Sequence, residues 1–137
     1  MGLLIDSTVL IHAERHGLPP VHLLTRLLER FGDQDVAMSV MTAGELFHGC
    51  WRADSPSRRA RREEYVESVL AAVPAVPLTL ATMRAFGQIC ARLSAAGERV
   101  PTSDLLIAST AIVRRDTIVT GNRRHFDRVA GLSVVDF

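Results

Sequence analysis

Short apolar runs alternating with amphipathic helices predict an α/β fold in which a small parallel sheet lies between helical layers. Two observations carry this expectation. The runs "GLLID", "DVAMS", "AVPL", "TIVT" and "LSVVD" are brief and strand-compatible, and the segments between most of them repeat apolar residues at helical spacing. A third observation concerns acids. Asp6 closes the first run, Glu45 falls early in the helix after the second, and Asp104 opens a later helix. In parallel sheets, ligands gather beyond the carboxyl ends of the strands, so positions far apart in sequence can converge there.

The elements follow in order. "GLLID" leads into "STVLIHAER", a strand then a helix. "PPVHLLTRLLERFG" opens on prolines, which suit a first helical turn, and stops at Gly32. "DVAMS" is the second strand, and "VMTAGELFHGCWR" a helix with small residues near its start. "SPSRRARREEYVESVLAAV" segregates Arg and Glu from Tyr65, Val66, Val69 and Leu70, an amphipathic helix. In "AVPL", Pro77 lacks an N–H and points to an edge or irregular end. "TLATMRAFGQICARLSAAG" is a long helix closed by Gly97. "VPTSDLLIASTAIV" supplies the next helix, "TIVTGN" a strand and its turn, and "LSVVD" the last strand.

A length of 137 residues with 47% hydrophobic content fits a single domain over 1–137. Charged residues at 23% and a net charge of +1 argue against disorder, and they leave any attraction for nucleic acid to local patches. No run approaches the ~20 apolar residues of a membrane helix, so no membrane partner is expected. The opening segment lacks a basic region and Asp6 interrupts its apolar run; it reads as no signal peptide, and the expected location is the cytoplasm. Cys50 and Cys90 form no CxxC and are expected as reduced thiols. All 16 basic residues are arginine. A Walker A loop and Schiff-base chemistry, which both need lysine, are therefore excluded.

Each acid has a structural and a chemical reading. Asp6 suits the N-cap of a helix starting at Ser7, yet a carboxylate directly after "LLI" is costly unless capped, paired or bound to metal. A phospho-accepting aspartate is disfavoured, since the Asp-x-Asp motif of haloacid dehalogenases would need an acid where Thr8 stands. Glu45 alone reads as a surface glutamate, although Ala43 and Gly44 leave space beside it. Asp104 would gain ~0.3–1 kcal/mol from the helix dipole, but Thr102 or Ser103 can already cap that helix. That redundancy moves Asp104 toward a functional role. The five histidines show no HExxH spacing and read as structural, and no Gly-x-Ser-x-Gly elbow is present.

Taken together, "LLIDSTVLI", "AGELFHG", "VPTSDLLIASTA" and "IVTGNRRHFDRVAGLSVV" resemble, in this order and over essentially the whole chain, the PIN-domain ribonucleases of the VapC toxin type. The resemblance implies a PIN-like three-layer α/β/α domain with a short parallel sheet. It implies a metal-dependent endoribonuclease, the toxin of a type II toxin–antitoxin pair, with Mg²⁺ or alternatively Mn²⁺ held by an acid cluster. Carried over by motif, Asp6, Glu45 and Asp104 are the metal and catalytic acids, and Asn122 joins the catalytic set. Asp6 and Asp104 would ligate directly, with Glu45 acting through water or orienting the nucleophile. A second ion ~3.5–4 Å away could stabilise the leaving oxygen. Thr120, Arg123 and Arg124 are the expected RNA contacts. The last motif departs from the commoner pattern. His125 stands where a later acid is usual, and Asp127 lies two residues on, which puts a second ion in question. Implied partners are a cognate antitoxin whose tail covers the acids, an RNA such as tRNA or rRNA, and a second copy in a homodimer. The alternative is a degenerate PIN module that binds RNA or antitoxin without cutting.

Overall fold

The computed structural model describes residues 1–137, and its chain runs β1 (Gly2–Ile5), α1 (Ser7–Arg15), α2 (Pro20–Phe31), β2 (Asp35–Ser39), α3 (Val40–Trp51), α4 (Pro56–Ala72), β3 (Ala75–Val76), α5 (Leu80–Ala95), α6 (Thr102–Arg114), β4 (Thr117–Thr120), α7 (Arg123–Phe126) and β5 (Val134–Asp136). The strands form one sheet of order β3-β2-β1-β4-β5, parallel at every pairing. The α/β expectation and all five strands stand.

Alternation along β1 separates two cores. Leu3 and Ile5 point to one face, where they join Leu10, Leu23, Leu27, Val66 and Val69 from α1, α2 and α4. Leu4 points to the other, among Ile89, Leu93, Ile107 and Ala111 from α5 and α6. This period of two is what makes the sheet a layer between helices. Each face is closed by apolar side chains at near-zero exposure, including Leu4, Ile5, Leu10, Leu27, Ile107 and Ile118. A buried aliphatic side chain of this size contributes about 1.5–3 kcal/mol.

Pro77 ends β3 after two residues, and β3 is an edge strand, as a residue without an N–H requires. Two local expectations need correcting. The last helix before β5, α7, was not anticipated, being only four residues long and without a readable period. Neither Thr102 nor Ser103 caps α6: the helix begins at Thr102, Pro101 holds the N-cap position, and no side chain accepts there.

The chain builds outward from β1 through β2 to β3, then returns to lay β4 and β5 on the other side of β1. The order therefore reverses between β1 and β4. A crevice opens at the carboxyl ends of adjacent strands at such a reversal, and Asp6 and Thr120 stand at those two ends.

Candidate metal centre

Asp6 follows β1 directly and occupies the N-cap position of α1, yet its carboxylate makes no capping bond. Its backbone N–H donates to Val119 O at 3.0 Å, which ties it to β4. Its Oδ2 instead accepts from Thr8 Oγ1 and Thr120 Oγ1, each at 2.9 Å. Thr8 Oγ1 in turn accepts from the Gly121 N–H at 2.9 Å, and Thr120 Oγ1 from the Asn122 N–H at 3.0 Å. The carboxylate is only 3% exposed, so these hydroxyls offset part of its lost hydration. Thr120 is itself fully buried and committed to Asp6. Thr120, expected as an RNA contact, has its hydroxyl on Asp6 in this structure.

Glu45 sits in the second turn of α3, whose N-cap Ser39 accepts from the Met41 N–H at 3.1 Å. Its Oε1 is buried without a hydrogen-bond partner. Burial first, then repulsion from Asp6 and Asp104, pushes its carboxyl up to about 7, against the opposing Ser7 hydroxyl. Gly44 borders open space, since a Cβ there would meet nothing within 4 Å.

Asp104 lies in the first turn of α6 and caps nothing. Its Oδ2 is 2.7 Å from His125 Nδ1. Desolvation raises its carboxyl above the ordinary value, with Asp6 adding to the rise and the His125 hydrogen bond opposing it. His125, read from sequence as structural, is thus part of the site. Asp127 is not: it pairs with Arg123 at 3.1 Å, and Arg123 also reaches Asp136 at 3.5 Å.

These side chains meet in one cleft of about 260 Å³ lined by Asp6, Ser7, Thr8, Glu45, Asp104, Asn122 and His125, with Pro101, Ser103 and Phe126. The lining holds three carboxylates and no arginine. The buried acid at the opposite end of β4 makes the contrast plain. Asp116 is neutralised by Arg114 at 2.7 Å. Three acids brought together with a single imidazole beside one of them are expensive, and a divalent cation is the simplest counter-charge. The orphaned oxygen of Glu45 and the all-oxygen chemistry of the acids fit Mg²⁺ or Mn²⁺. No three His, Cys, Asp or Glu side chains stand close enough to enclose an ion by themselves. That suits a cation that keeps several waters and needs only one or two carboxylates.

Residues 3–132 match the model of the PIN domain. The chain belongs to the PIN-domain family. Its relatives within that family are VapC proteins. It is 27% identical over 135 residues to Ribonuclease VapC1 of Rickettsia felis, which covers 98% of this chain and 96% of the relative. It is 31% identical over 102 residues to the tRNA(fMet)-specific endonuclease VapC of Shigella flexneri, covering 74% and 75% of the two chains. In three dimensions this PIN domain superposes on VapBC2 of Rickettsia felis, solved bound to a DNA fragment from its promoter, with a TM-score of 0.86. The identity there is 20%, and the match covers 100% of this chain and 99% of the other. The PIN-like α/β/α expectation is met.

A second concavity of about 490 Å³ adjoins the acid cleft and shares Ser7 and Glu45 with it. Arg15, His48, Arg52 and Arg62 line it, together with Glu14, Ile11 and Tyr65. The PIN domain therefore places basic side chains within reach of a polyanion approaching Glu45.

Proposed function

We propose that this PIN domain is a divalent-metal-dependent endoribonuclease and the toxin of a type II toxin–antitoxin pair. The observation that carries the reading is the cleft itself: Asp6, Glu45 and Asp104 converge at the β1/β4 reversal with no arginine among them. Asp6 and Asp104 would hold the cation, Mg²⁺ or alternatively Mn²⁺. When bound, such an ion supplies positive charge against the phosphate and acidifies water in its shell.

The chain's own residues then have distinct tasks. Thr8 and Thr120 keep Asp6 turned into the cleft. Glu45 lines the cleft, and its carboxylate, ionised beside a bound cation, is suited to orient an attacking water or accept its proton. Asn122 lines the cleft and can donate to a phosphate oxygen. Arg124 is exposed and forms no ion pair, whereas Arg123 is already shared between two carboxylates, so Arg124 is the better RNA contact.

Structured RNAs with accessible single-stranded loops, such as tRNA or rRNA, are the proposed substrates. The proposed protein partners are a cognate antitoxin and a second copy of the chain. For the latter, α3 leaves Val40, Phe47 and Trp51 exposed at positions i, i+7 and i+11, a single stripe on the helix.

The test is incubation of total bacterial RNA with purified protein in Mg²⁺, Mn²⁺ or EDTA, beside Asp6→Ala. Discrete fragments that require both the cation and Asp6 are expected. RNA left intact under every condition by folded protein would overturn the nuclease and favour a module that binds without cutting.

A further inference from the structure

We infer that His125 is a positioning residue, which holds Oδ2 of Asp104 and so fixes the direction in which that carboxylate meets the cation. The inference rests on the metal-dependent nuclease proposed above.

Three observations support it. His125 Nδ1 lies 2.7 Å from Asp104 Oδ2 and 3.5 Å from Asn122 Nδ2. One ring nitrogen cannot donate to the carboxylate and accept from the amide at once; the carboxylate contact is much the shorter, and toward an Asp104 ionised as a metal ligand it is a donation from Nδ1–H. Asp6 repeats the arrangement, since its Oδ2 is occupied by the Thr8 and Thr120 hydroxyls. No hydrogen bond is made to the other oxygen of either aspartate, and both residues line the same cleft as Glu45.

The pairing is also poorly placed to be a mere brace. The two side chains are 28% and 15% exposed, and α7 is a short helix at the rim of the cleft. What the bond fixes is the direction of a carboxylate. Groups behind a metal ligand act in this way, and losing one weakens metal affinity by about 10–100-fold.

The experiment is a Mn²⁺ titration of RNA-free protein, read as free Mn²⁺ by electron paramagnetic resonance, for wild type, His125→Ala and His125→Asn. Asn places an N–H the same number of bonds from the backbone as Nδ1. Wild type and His125→Asn are expected to bind alike, with His125→Ala weaker by about 10–100-fold. Thermal melts in EDTA establish that each variant is folded. Equal affinity in His125→Ala, or a loss in His125→Asn as large as in Ala, would overturn the positioning role while a metal-binding, RNA-cleaving wild type left the nuclease standing. A wild type that neither binds Mn²⁺ nor cleaves RNA would overturn the nuclease reading, and this inference with it.

Discussion

Thr120 Oγ1, at the end of β4, donates to Asp6 Oδ2, at the end of β1, across 2.9 Å. The bond spans the point where the strand order reverses, and both residues are buried. Thr120→Val keeps the shape and removes the donor. A hydrogen bond to a charged group contributes about 1.5–3 kcal/mol, but Thr8 still serves the same oxygen, so a loss near 1.5 kcal/mol is expected in urea denaturation. Mn²⁺ affinity should drop as well. Unchanged stability and unchanged affinity together would show that Thr8 alone suffices.

Glu45 gives a pH dependence with a definite sign. Its carboxyl titrates near 4.5 in the unfolded chain and at about 7 in the folded, metal-free protein. Between those values the folded state binds more protons, so its stability falls as pH rises. Asp104, also raised, acts in the same direction. In EDTA, the melting temperature of wild type relative to Glu45→Gln should decline from about pH 4.5 to 7. Saturating Mn²⁺ should remove much of that decline, because the cation stabilises the ionised carboxylate. A difference between the two proteins that is flat with pH would count against the buried, repelled state of Glu45.

The two arginines after Asn122 should differ in effect. Arg123 is held by Asp127 and Asp136, while Arg124 has no such partner. Arg124→Ala is expected to weaken binding of a cleavage-deficient Asp6→Asn protein to RNA, and to lower the salt slope by about 1. Arg123→Ala should do less. Filter-binding at several salt concentrations reads both, and the reverse ranking would move the RNA path to the other side of α7.

Trp51 is 67% exposed, with the Arg59 guanidinium 4.6 Å from its ring centroid, and it extends the stripe of Val40 and Phe47 on α3. A Phe47→Glu, Trp51→Glu double variant should shift the protein from dimer to monomer in light scattering. A wild type that is monomeric at tens of micromolar would refute the homodimer directly.

Much of this molecule was legible in its sequence because local pattern and global fold agree. The alternation of Leu3, Leu4 and Ile5 between two cores is visible in "GLLID" once a parallel sheet is expected. The carboxylates were found because each sits after a strand or in an early helical turn, places that parallel sheets bring together. What stayed hidden depends on contacts between distant segments. The Asp104–His125 pair joins residues 21 apart through the packing of α6 against α7, and no periodicity records it. The hydroxyl of Thr120 looked free for RNA because the sequence cannot show that Asp6, 114 positions earlier, already claims it. Thr102 and Ser103 do not cap the helix, yet the acid still faces the cleft.

The reversal of strand order has a consequence for how such a protein is made. Asp6 and Glu45 come from the first part of the chain, while Asp104, Thr120 and His125 come from the last. During synthesis the early half can emerge and begin to pack, but it carries only two of the three acids, and of the groups that orient them it has Thr8 but neither Thr120 nor His125. The cleft is complete only once β4 lies beside β1 and α6 and α7 bring Asp104 and His125 to it. A chain made from its N-terminus onward therefore has no finished site until the segment carrying Asp104 and His125 has joined it.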